Sequence, residues 1–131
     1  MEKPTNINKI IIRSPNWVGD VVMATPAFRC IRENFPDAII TLALKSYIQK
    51  LIEGAPWFDK LFLLDSKDRL PGGAQYFPVV KHIRAQKYDL GFLFPNSFSS
   101  AFMFWLGGVK RRVGYKRDAR AWFLTDGINR L

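Results

Sequence analysis

The chain has one cysteine and one histidine in 131 residues. A single thiol excludes an internal disulfide, and the place of Cys30 beside the apolar stripe of a helix predicts that it is buried. His82 has no cysteine or second histidine at ligand spacing, so neither a metal centre nor a Ser-His-Asp triad is supported. No apolar run approaches the ~20 residues that span a bilayer, and Met1-Glu2-Lys3-Pro4 lacks the pattern of a signal peptide, which points to the cytoplasm. The dinucleotide fingerprint G-x-G-x-x-G and the Walker-type lysine loop are both missing. NAD binding and ATP hydrolysis are therefore unsupported, and no cofactor is expected. Internal repeats and low-complexity tracts are absent as well.

Acidic residues are scarce: 11 against 20 Lys and Arg, for a formal charge of +9. The excess is uneven, since residues 109–131 alone carry +5 through Lys110, Arg111, Arg112, Lys116, Arg117, Arg120 and Arg130 against Asp118 and Asp126. Such a cluster suits an anionic partner, or equally a solvated strand edge kept soluble by its cations. The hydrophobic content of 48% excludes a disordered chain and, at this length, supplies one domain with a real core.

What is present is an alternation of short apolar strands and helical stripes. Lys9-Ile10-Ile11-Ile12-Arg13 reads as a buried strand. Val21, Ala24, Phe28, Ile31 and Phe35 then recur at helical spacing until Asn34-Phe35-Pro36-Asp37 closes the helix. Further strands are expected at 39–44, 60–64, 88–94 and 109–114. A short helix over Tyr47, Ile48, Leu51 and Ile52 stops at Gly54 and Pro56, and another turns Tyr76, Val79, Val80 and Ile83 inward. A nearly all-apolar helix over Phe98–Leu106 is capped by Gly107-Gly108. The stretch from Asp65 to Gln75 has no periodicity and reads as a loop. This pattern predicts an α/β fold, a Rossmann-like parallel sheet in the order 3-2-1-4-5 with helices on both faces.

In such sheets ligands bind beyond the carboxyl ends of the strands. The turn Ser14-Pro15-Asn16-Trp17-Val18-Gly19-Asp20 lies there. Asp20 reads either as the N-cap of the first helix or as a carboxylate able to take a proton from a bound hydroxyl. Ser14, Asn16 and Trp17 beside it combine hydrogen-bonding groups with an aromatic platform, which suits a sugar. Asn96, Ser97, Ser99 and Ser100 reach the same edge after the fourth strand, where a serine-rich run also serves as a helix cap.

The run Arg13 to Ala27 (RSPNWVGDVVMATPA) resembles the opening motif of the lipopolysaccharide heptosyltransferases of glycosyltransferase family 9. Leu93-Phe94-Pro95-Asn96-Ser97-Phe98-Ser99-Ser100-Ala101 and Arg112-Val113-Gly114-Tyr115-Lys116-Arg117 are similar to later motifs of its type II members. The resemblance implies a GT-B enzyme with two Rossmann-like domains. The N-terminal one holds a lipid-linked inner-core saccharide, and the C-terminal one holds ADP-heptose. It implies transfer of L-glycero-D-manno-heptose with inversion and no obligatory metal, with Asp20 as general base. Ser14, Asn16, Trp17, Asn96, Ser97, Ser100 and Arg120 are then the acceptor-binding residues. On this resemblance residues 1–131 form an incomplete acceptor-side domain without the nucleotide-sugar domain, expected to be inactive alone and prone to self-association through an uncovered fifth strand.

Two further expectations come from the residues. The Phe98–Leu106 stretch beside Lys110 to Lys116 either covers the sheet or docks on the inner-membrane surface. A different class of function, a basic module gripping RNA or DNA, would use the C-terminal cations with Tyr115 and Trp122, although no nucleic-acid signature accompanies them.

Overall fold

The computed structural model describes residues 7–64, 76–94, 98–115 and 126–128. Its strands are β1 (Lys9–Arg13), β2 (Ile39–Leu44), β3 (Lys60–Leu63), β4 (Leu90–Leu93), β5 (Arg111–Tyr115) and β6 (Asp126–Ile128). Its helices are α1 (Val18–Asn34), α2 (Ser46–Ile52), α3 (Tyr76–Gln86) and α4 (Phe98–Leu106). All strand pairs are parallel, in the order β3-β2-β1-β4-β5-β6. The expected order of five strands holds, with a sixth added beyond β5.

β1 lies at the centre because its isoleucines serve both faces. Successive side chains of a strand point to opposite sides. Ile10 and Ile12 pack with Ile40, Leu42 and Leu44 of β2 against Val21, Phe28 and Ile31 of α1 and Ile48 and Ile52 of α2. Ile11 and Ala43 point the other way, into a second core with Val79 and Ile83 of α3 and Met103 and Phe104 of α4. Two covered faces explain why the central strands read as continuous apolar runs rather than alternating ones.

The end of α4 follows its sequence closely. Gly108 has φ 72°, Val109 N donates to Phe104 O at 3.2 Å, and Gly108 N donates to Trp105 O at 3.1 Å. This is the Schellman pattern, and glycine adopts its left-handed residue without a Cβ penalty. Gly107 is required for a different reason: a Cβ there would lie 2.4 Å from Ile83 Cγ2, so its absence lets α4 sit against α3.

Several expectations are corrected. α1 starts at Val18, and its N-cap is Trp17, in extended conformation (φ −109°, ψ 139°) and with no side-chain capping bond. Asp20 is therefore a first-turn residue and not the cap. Cys30 is exposed, because it lies just off the stripe formed by Ala24, Phe28 and Ile31. Tyr47 and Leu51 also face outward, since the seven residues of α2 bury only Ile48 and Ile52. The far side of β5 pairs with β6 (Val113 with Asp126, Tyr115 with Ile128), so the fifth strand is not the open edge of the sheet. β6 escaped the sequence reading because three residues headed by Asp-Gly carry no alternation. The loop expected over Asp65–Gln75 lies outside the described residues.

Candidate functional site

The direction in which the sheet grows reverses at β1. β2 and β3 lie on one side of it, and β4, β5 and β6 on the other. At such a switch point the connections from neighbouring strands leave toward opposite faces and open a crevice at the carboxyl ends. Here that switch point lies between the ends of β1 and β4. α1 leaves from the first of these strands, and α4 follows the second.

The β1–α1 turn is built from its buried side up. Ser14 is fully buried, its N–H donates to Ala43 O at 2.9 Å, and its hydroxyl donates to Pro15 O at 3.0 Å. This places Ser14 underneath the turn as its support. Arg13, also buried, folds its guanidinium back along the turn. Nη1 donates to Ser14 O and Nη2 to Asn16 Oδ1, both at 2.8 Å. The hydroxyl of Tyr47 on α2 donates to the main-chain carbonyl of Asn16. Asn16 is thus held at two oxygens by side chains from two elements.

Trp17 and Asp20 stand at the surface of this frame. Trp17 is 73% exposed, and Asp20 is exposed on the first turn of α1. The first intrahelical bond runs from Val21 N to Trp17 O at 3.0 Å. The amides before Val21 lack intrahelical partners, and the partial positive charge they leave favours a carboxylate at Asp20. An exposed carboxylate, an aromatic surface and a side-chain amide held by Arg13 therefore share one turn.

The other predicted residues divide by position. Ser100 belongs to the first turn of α4, while Asn96, Ser97 and Arg120 lie outside the described residues. His82 stacks on Phe62 with ring centroids 4.1 Å apart, a packing contact on the α3 side of the sheet. Among the described residues no group of three His, Cys, Asp or Glu side chains is placed to hold a metal ion, and no helix is long and apolar enough to cross a membrane. Sequence reasoning missed Arg13 and Tyr47. A lone cation closing a buried isoleucine strand was a usable signal for the first, whereas nothing in the spacing distinguished Tyr47 from a core residue.

The chain is similar to known proteins in sequence and in fold. Residues 77–129 match the model of glycosyltransferase family 9 (heptosyltransferase). The chain is 25% identical over 118 residues to lipopolysaccharide heptosyltransferase 2 of Escherichia coli, covering 90% of this chain and 34% of that protein. It is 29% identical to lipooligosaccharide heptosyltransferase 2 of Haemophilus ducreyi, with the same coverage. The structure of the E. coli ADP-heptose lps heptosyltransferase II superposes with a TM-score of 0.77 at 25% identity, over 91% of this chain and 34% of that one. The chain spans about a third of the length of the curated relatives it matches. Its sheet and helices correspond to the N-terminal part of the GT-B glycosyltransferases among these solved structures. Over residues 77–129 the chain thus matches the glycosyltransferase family 9 (heptosyltransferase) model, and over about 90% of its length it is similar to heptosyltransferases 2.

Proposed function

We propose that these residues are the acceptor-binding part of a heptosyltransferase that moves heptose from ADP-heptose to the lipopolysaccharide inner core. One observation carries the reading: Asp20 is an exposed carboxylate on the first turn of α1, at the crevice where the sheet reverses direction. An acceptor hydroxyl placed there gives its proton to the Asp20 carboxylate as its oxygen attacks the anomeric carbon. The bond from that carbon to the ADP oxygen breaks on the opposite side, which inverts the configuration. Trp17 offers its ring to an apolar sugar face, and Asn16 offers its side-chain amide. Ser14 holds the turn from below. Asn96, Ser97, Ser100 and Arg120 complete the acceptor side.

ADP-heptose is gripped by groups outside these 131 residues. Transfer requires donor and acceptor in one near-attack geometry, so a polypeptide of residues 1–131 binds the acceptor without turning it over. Titration with the deacylated inner-core saccharide tests the first half. Saturable binding lost in Trp17→Ala is expected, and no saturable binding overturns the reading. ADP release above background from ADP-heptose and that saccharide overturns the second half.

The lipid-linked acceptor places the site at the cytoplasmic surface of the inner membrane. α4 suits that contact, because Phe102 and Trp105 on its outer face are 37% and 46% exposed with ring centroids 6.0 Å apart. Arg84 of α3 reaches the same helix, donating to Leu106 O, and Lys110, just past the end of α4, is exposed while paired with Asp89 at 3.6 Å. Aromatic rings beside cations are the side chains that settle at an anionic bilayer interface.

A further inference from the structure

Arg13 has only N–H donors and cannot accept a hydrogen bond. Its contact with the Asn16 side chain therefore fixes which way that amide lies: the oxygen meets the guanidinium at 2.8 Å, and the Nδ2 group points away from it. An asparagine on an exposed turn ordinarily samples both orientations and offers a ligand either an acceptor or a donor. Here the choice is removed. Among the described residues no hydrogen bond from Asn16 Nδ2 occurs, while Oδ1 and the main-chain oxygen are both engaged.

The main-chain hold comes from elsewhere. Tyr47 belongs to α2, more than thirty positions away (|i−j| = 31), and its hydroxyl donates to Asn16 O. Its ring is exposed and adds little to the core, so the hydroxyl contact is the evident work of the side chain. α2 is packed on the sheet through Ile48 and Ile52. A bond from it to the turn ties the position of Asn16, and of Trp17 beside it, to the rigid sheet rather than to the local chain.

We infer that Arg13 and Tyr47 are positioning residues that lock Asn16 so that it presents Nδ2 as a hydrogen-bond donor to an oxygen of the acceptor saccharide. The inference rests on the acceptor reading above. It makes the turn selective for an oxygen that accepts, such as a hydroxyl or carboxylate oxygen, at the point Asn16 faces. Preorganisation of this kind avoids ordering the side chain at the moment of binding.

The decisive substitution is Asn16→Asp. A carboxylate of the same shape keeps the bond to Arg13 and strengthens it by charge, but has no Nδ2 donor. The expected result, by calorimetric titration of the full 131-residue chain with deacylated inner-core saccharide, is affinity reduced about tenfold or more at an unchanged or raised melting temperature. Unchanged affinity overturns the donor role. Tyr47→Phe keeps the ring and removes the hydroxyl, and is expected to weaken the saccharide severalfold. In the ligand-free chain it should also speed exchange of the Val21 amide while the Ile12 and Leu42 amides keep their protection. Unchanged Val21 exchange, or equal loss at all three amides, overturns the positioning role of Tyr47. If the wild-type chain binds no saccharide while Tyr47→Phe still loosens Val21, the acceptor reading fails and takes the donor role with it, and the clamp is shown to be structural.

Discussion

Arg32 and Asp59 meet at 2.9 Å, and the Asp59 oxygen that accepts from Arg32 Nη1 also accepts from Ile40 N at 2.8 Å. The other end of the same guanidinium donates to the carbonyls of Phe35, Pro36 and Ala38. One ion pair therefore closes α1, shapes the turn after it and holds the start of β2. It lies at the end of the sheet away from the crevice, where it stabilises the fold without touching the site.

This pair sets an acid limit to stability. The Ile40 N–H bond, partly opposed by desolvation and aided by Arg32, holds the Asp59 carboxyl below its ordinary value of 3.8. A folded pKa lower than the unfolded one contributes stability above the unfolded value and loses it as pH falls through the folded one. The loss thus begins below about pH 4. Because the Asp59 side chain is 46% exposed, solvent screening limits the ion pair to about 0.2–1 kcal/mol. Asp59→Asn is expected to lower the melting temperature at pH 7 by a few degrees and to flatten the decline between pH 4 and 2. Thermal melts across that range check both.

Packing of α4 gives a larger effect. A Cβ on Gly91 would lie 2.8 Å from Phe104 Cδ2 and 2.9 Å from Val109 Cγ1, and one on Gly107 would lie 2.4 Å from Ile83 Cγ2. Phe104, Val109 and Ile83 are all buried and have little room to retreat. Gly91→Ala and Gly107→Ala should each destabilise by about 1–3 kcal/mol, measurable by urea unfolding. Gly108→Ala has open space around it and suffers only the left-handed backbone, for a cost of about 1 kcal/mol.

Asp20 no longer has to be considered as a cap. In a full-length heptosyltransferase carrying residues 1–131 as its N-terminal part, Asp20→Asn and Asp20→Ala should both fold. Each loses at most the helix-dipole contribution of about 0.3–1 kcal/mol. Both should lose about 10²–10⁴-fold in turnover if the carboxylate is the base. Steady-state kinetics beside melting curves test this, and near-normal turnover in either folded variant removes Asp20 from the mechanism.

The α4 surface is tested by co-sedimentation with vesicles containing phosphatidylglycerol. Binding at low salt, weakened by high salt and by Phe102→Ala with Trp105→Ala, is the expected outcome. Absence of binding at low salt removes the membrane contact from the proposal.

Much of this protein follows from local pattern. The isoleucine run of β1, the 3.6-residue stripe of α1 and the Gly107-Gly108 stop after α4 each identify their element, because burial on one or two faces dictates a period that can be read along the chain. The alternation of these elements, with the right-handed crossover rule, was enough for the order of five strands. The motif from Arg13 to Ala27 was enough to point to the family and to Asp20. The tertiary structure alone decided what depends on neighbours distant in the chain. That α1 begins at Val18, with Trp17 as its N-cap, follows from where the turn leaves β1, and β6 exists only because β5 offers it an edge. Tyr47 turns outward because α2 has only two residues' worth of core to fill. The fixed orientation of Asn16 requires Arg13 and Tyr47 to converge on it from a strand and a separate helix, and a contact between residues 16 and 47 leaves no periodic trace along the sequence.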